Sequence, residues 1–139
     1  MPLRPFALLA FAAVTACGGA DDAAQAYYDE ARPTCAYLCA SAACEGTVEL
    51  SESSVQSCAD SCADEAEAAA RDESQDCAEA YLALLECVAD AACTERLDWL
   101  ADPQLSAVCR SEADALEATC PDFEFSFGRA GGSGAAGRP

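Results

Sequence analysis

Cysteine spacing constrains this chain more than any other feature. Eleven cysteines occur in 139 residues, and ten of them (Cys35, Cys39, Cys44, Cys58, Cys62, Cys77, Cys87, Cys93, Cys109 and Cys120) share one central stretch. Hydrophobic residues make up 53% of the chain, but alanine supplies the largest share, with one Trp, one Met and no Ile. A large aliphatic core is therefore out of reach, and covalent cross-links must compensate. The length leaves room for one domain or two small ones.

The sequence between the cysteines is helical, as its alanine content favours. Pro33 suits the first turn of a helix running to about Cys44, with Gly46 just past its end. Ser53 and Gln56 form a capping box for a second helix to about Arg71, whose apolar face is Val55, Cys58, Cys62, Ala66 and Ala69. A third helix over 75–92 places Cys77, Tyr81, Leu84, Leu85 and Val88 on one side. Thr94 caps a short segment carrying Leu97, Trp99 and Leu100. Asp102 and Pro103 then open a last helix to about Cys120. The expected fold is all-α: a small disulfide-stapled bundle of two antiparallel helical hairpins with flexible termini.

Ten cysteines allow on the order of a thousand pairings, and helix geometry prunes them. Cys35 and Cys39 lie one turn apart, as do Cys58 and Cys62. Their Cβ atoms are then about 5–6 Å apart, whereas a disulfide wants roughly 3.5–4.5 Å. Each cysteine must reach another helix. Pairing Cys35 with Cys62 and Cys39 with Cys58 suits one antiparallel hairpin, because the residue numbers of both pairs have the same sum. Cys77–Cys120 and Cys87–Cys109 give a second hairpin in nearly the same register. Cys44 and Cys93 remain, and a bond between them staples one hairpin to the other. A faint internal similarity, "CAYLCASAAC" at 35–44 and "AYLALLECVADAAC" at 80–93, accompanies this two-part layout.

Cys17 stands apart. Residues 1–16, MPLRPFALLAFAAVTA, carry one positive charge at Arg4 and a short apolar run from Phe6 to Val14. That run is about half of what crosses a bilayer, so it reads as a signal-peptide core. Val14-Thr15-Ala16-Cys17 resembles the bacterial lipobox, which implies that Cys17 becomes an acylated N-terminus carrying diacylglyceryl and commonly palmitate. Setting Cys17 aside leaves an even number of cysteines; an ordinary secretory signal leaves an odd one. Gly18, where an Asp would act as a retention signal, favours the outer membrane. The expected location is the cell envelope, at the outer membrane, facing the periplasm or the cell surface. The expected organisation is a lipoprotein signal peptide at 1–16, a lipidated and flexible acidic tether at 17–30, a cysteine-rich helical domain at 31–122, and an aromatic then Gly-rich disordered tail at 123–139.

Charge excludes several functions. The net charge is −18, from 25 acids against seven arginines, with no Lys. Such a surface repels phosphate backbones, so no nucleic-acid partner is expected. It suits a solvated exported domain, and no EF-hand loop is present to turn the acids into a calcium site. With no His, neither a Ser-His-Asp triad, a Cys-His pair nor an imidazole metal site can be built. Asp64, Glu65 and Glu67, with Asp72, Glu73 and Asp76, are dense enough to raise a paired-carboxylate glycosidase, but helix-surface acids without an aromatic sugar cleft read as solvated charge. Phe123, Phe125 and Phe127 alternate; on an extended segment they share one face, which either covers the helices or contacts a partner.

The twin C-x3-C pattern is similar to the helical hairpins of small mitochondrial import chaperones, a likeness of spacing alone. The longer pattern C-x3-C-x4-C…C-x3-C…C-x9-C-x5-C…C-x10-C-P, over residues 35–121, resembles the cysteine-rich, mostly uncharacterised lipoproteins of myxobacterial-type bacteria. That resemblance implies a location and a fold type. The leading functional expectation is a lipid-anchored, non-catalytic envelope protein with a structural or protein-interaction role, an unidentified protein partner and no cofactor. The alternative is a cysteine-based metal-binding or redox protein, disfavoured by the absence of C-x-x-C and His.

Overall fold

The computed structural model describes residues 19–41, 44 and 50–127. The signal segment, Cys17, Gly18, Gly46 and the tail from Gly128 lie outside the described residues. Among the described residues five α-helices follow one another: α1 Ala20–Ala40, α2 Glu52–Ala68, α3 Gln75–Asp90, α4 Cys93–Ala101 and α5 Arg110–Thr119. A π-helical turn, Ala69–Glu73, prolongs α2 and ends at Ser74, which caps α3 by accepting the Cys77 N–H at 3.1 Å. Among the described residues there is no strand.

Two helical hairpins make up the bundle: α1 lies along α2, and α3 along α5, with α3 also touching α1. Ala31, Cys35, Leu38 and Cys39 of α1 are buried against a face of α2 that includes Ala59, Cys62, Ala63 and Ala66. Both sets recur every three or four residues, the period of one helix face. Small side chains let the helices approach closely enough for direct cross-links. Cys35–Cys62 and Cys39–Cys58 join them with Cα separations of 5.8 and 6.0 Å. In the second hairpin, Cys77–Cys120 and Cys87–Cys109 span 5.5 and 5.9 Å. Cys44–Cys93, at 6.1 Å, ties one hairpin to the other. Each bridge contributes about 2–4 kcal/mol by restricting the unfolded chain. Most of the larger buried apolar residues, Tyr81, Leu84, Leu85, Val88 and Trp99, lie on α3 and α4, joined by Leu38 of α1 and Leu116 of α5.

Several boundaries differ from the sequence reading. The segment expected to be a flexible tether is helical from Ala20, so the domain begins well before residue 31. Asp21 and Asp22 in the first turn complement the helix dipole. Ala24 is buried, Tyr27 and Tyr28 pack on the core, and the Tyr28 hydroxyl and Arg32 Nε both donate to Asp60 of α2, at 3.1 and 2.9 Å. Tertiary partners thus turn a stretch that looked like a leash into a helix.

Pro33 consequently sits inside α1 and not at its start. It withholds one N–H from the helix, and the buried, disulfide-bonded residues around it carry the helix through. Helix α1 ends at Ala40, and Cys44 follows in a turn whose N–H donates to the Ser41 carbonyl at 2.9 Å. Ser51, not Ser53, caps α2: its hydroxyl accepts the Ser54 N–H at 3.2 Å. Thr94 does not cap α4; Ala92 precedes it, and the Glu95 carboxylate accepts the Ala92 N–H at 2.9 Å.

Asp102 and Pro103 do not open the last helix. Asp102 Oδ1 accepts the N–H groups of Gln104 and Leu105, both at 3.1 Å, which closes a turn. Helix α5 starts only at Arg110, after Cys109 at φ 54°, the single described non-glycine residue with positive φ. Cys109 is the residue cross-linked to Cys87, and it holds a conformation that costs a cysteine about 1 kcal/mol.

Candidate functional site

After Cys120 the chain crosses back over the helices as an extended strap. The alternation of Phe123, Phe125 and Phe127 puts the three rings on one face, and that face is turned inward. Phe123 and Phe125 lie 6.2 and 6.0 Å from Tyr81, and Phe127 lies 6.1 Å from Trp99, centroid to centroid. Phe127 is buried and the other two are half-buried. The aromatic segment of the tail thus packs on the helices, and Phe127 is the last described residue. Of the two expectations for these rings, covering the helices or contacting a partner, the packing is the first: they lie against the apolar floor of α3 and α4, with Phe123 and Phe125 left half-buried.

One carboxylate holds this strap. Glu65, near the end of α2, accepts the Ser126 N–H at 2.6 Å, the Phe127 N–H at 3.3 Å and the Ser126 hydroxyl. It also accepts the Tyr81 hydroxyl at 2.9 Å. Burial pushes the Tyr81 phenol well above its ordinary pKa, and the Glu65 charge and hydrogen bond push it further. Tyr81 thus stays a donor, and Glu65 has several donors fixed around it. The sequence reading placed Glu65 in a carboxylate cluster; its role in holding the strap depends on residues 61 and 62 positions away.

A groove of about 470 Å³ starts at Glu65 and Phe127 and follows α2. Its wall carries Ser53, Ser54, Ser57 and Ser61, and the last two lie one turn apart on a single face. The remaining acids do not join Glu65. Glu67 and Asp72 both pair with Arg71, at 3.2 and 3.1 Å, while Asp64, Glu73 and Asp76 are exposed. A second cleft, of about 500 Å³ between α1 and α3, has Tyr27, Glu30 and Glu79 on its wall. Both glutamates are exposed there.

Arg96 of α4 is a second residue whose role the sequence reading missed. It is 9% exposed, and its Nη1 donates to the carbonyls of Ala89 and Ala91 at 3.0 and 2.6 Å. Its guanidinium also lies 5.1 Å from the centre of the Tyr37 ring. One cation thereby closes the negative end of α3 and reaches back to α1. A basic residue just after a helix end, in a chain with few of them, was the available signal.

Cys87, Cys109 and Glu112 bring potential metal-ligating atoms within 4.8 Å of one another. The two sulfurs are spent on their mutual bond, so this cluster offers an ion one carboxylate and no thiolate. Compared with known proteins, the chain matches no family, no curated protein and no solved structure.

Proposed function

We propose that this chain is a lipid-anchored protein of the cell envelope with a non-catalytic role, structural or in protein interaction. In this reading it is one of the cysteine-rich lipoproteins that its lipobox-like Val14–Cys17 segment and cysteine spacing resemble. The observation that carries it is the set of five disulfides between helices. A small alanine-rich bundle held this way needs an oxidising compartment, which is extracellular or in the envelope. Among the described residues no helix is long and apolar enough to cross a membrane. Attachment in this reading falls to acyl chains on Cys17, because two or three chains exceed the marginal grip of one.

The start of α1 adds a consequence. Only Gly18 and Gly19 separate Cys17 from Ala20, so the helical domain would stand directly over the lipid surface without a long leash. Metabolic labelling with palmitate tests the reading. Label and membrane fractionation are expected in the natural chain, and Cys17→Ala should lose both while keeping all five disulfides. A mature protein with Cys17 unacylated would overturn the anchor.

A further inference from the structure

Two kinds of attachment coexist in this molecule. Every helix carries or is flanked by a disulfide-bonded cysteine, whereas the strap beyond Cys120 meets the rest of the bundle through Glu65 and three rings. We propose that the strap is a displaceable occupant of a peptide-binding groove, with Tyr81 and Trp99 as its floor and Glu65 as its polar anchor. The partner it fits is an extended segment with aromatic side chains at alternate positions. This inference rests on the interaction role proposed above and names its site.

The occupant displays the chemistry of its replacement. Glu65 takes the backbone N–H groups of residues 126 and 127, which any peptide without proline there can offer. Selectivity comes from the rings, spaced two residues apart so that they meet Tyr81 and then Trp99 on one face. The Trp99 indole N–H is buried without a hydrogen-bond partner, so the floor keeps a donor that the strap does not use. Among the described residues a serine-walled groove runs from Phe127 along α2. A partner must compete with a strap tethered at Cys120, so binding requires the strap to open first.

Trp99 is the only tryptophan of the chain, so its fluorescence reports this floor directly. The full chain carrying Phe123→Ser, Phe125→Ser and Phe127→Ser together should keep its helicity and five disulfides while its emission shifts to the red. A synthetic peptide of residues 121–128 added to that variant should restore the blue emission saturably; the same peptide with its phenylalanines replaced by serine should not. Adding Glu65→Gln should weaken the peptide about tenfold, because a neutral amide is a poorer acceptor for several N–H donors. Asp64→Asn, at an exposed neighbour, should leave affinity unchanged. Loss of helicity in the triple variant overturns the proposal, since the strap would then belong to the cooperative core. Unchanged Trp99 emission, or no saturable restoration, overturns it as well. None of these outcomes bears on acylation of Cys17, which the palmitate experiment reads separately.

Discussion

The Tyr81 hydroxyl donates to the Glu65 carboxylate at 2.9 Å, and the same carboxylate receives two backbone N–H groups from the strap. A buried residue of α3, a half-buried one of α2 and the end of the described chain therefore share one acceptor. Tyr81→Phe removes a donor to a charged group while keeping the ring and its contacts with Phe123 and Phe125. It should cost about 1–2 kcal/mol in chemical denaturation. A loss below about 0.5 kcal/mol would mean the bond contributes nothing net.

The same contact sets an alkaline limit. Burial first, and the Glu65 charge second, keep the folded Tyr81 phenol well above its ordinary value of 10.0. Because the folded value is the higher one, stability from the neutral phenol is complete below about pH 10 and is lost as pH rises toward the folded value. The phenolate absorbance that distinguishes the natural chain from Tyr81→Phe should therefore emerge together with alkaline unfolding. Its emergence near pH 10 with the helices intact would contradict the burial.

Disulfide accessibility orders reduction. Cys44 is exposed and Cys93 half-buried, whereas Cys35 and Cys62 are both fully buried. A thiolate must reach a sulfur in line, so Cys44–Cys93 should be cleaved first and Cys35–Cys62 among the last. Limited reduction of the native protein, followed by alkylation and peptide mass spectrometry, reads that order. Early labelling of Cys35 would refute it.

Pro33 is exposed inside α1, so its side chain gains little there. Pro33→Ala should restore a helix N–H and raise stability by about 2 kcal/mol, part of the roughly 3 kcal/mol by which proline disfavours a helix interior. An unchanged or lower melting temperature would show that the proline has a packing role.

At the start of α2, two nearby serines separate the observed cap from the expected one. Ser51→Ala should cost about 1 kcal/mol, because it leaves the Ser54 N–H without its side-chain acceptor. Ser53→Ala should stay within about 0.5 kcal/mol. Thermal melts of the two variants side by side decide between them.

The all-α class and the two-hairpin layout are legible in the sequence, because cysteine spacing, alanine content and helical period are local signals that agree. The register of the antiparallel helices pointed to four of the pairs in which the sulfurs are found, and Cys44–Cys93 was what remained. Helix ends were less legible. Ala20 to Glu30 has the composition of a linker and becomes helix because Ala24, Tyr27 and Tyr28 find partners on other elements. Asp102-Pro103 has the signature of a helix start but closes a turn through Asp102 Oδ1, and α5 begins only after the disulfide-bonded Cys109. The site itself was the least legible. Alternation showed that Phe123, Phe125 and Phe127 share a face, but which way that face turns depends on Tyr81, Trp99 and Glu65, which the chain brings near it only on folding. Spacing along the sequence therefore determined what is bonded to what. Which surfaces are covered, and by which carboxylate, was decided in three dimensions, where burial and hydrogen bonding act between residues far apart in the chain.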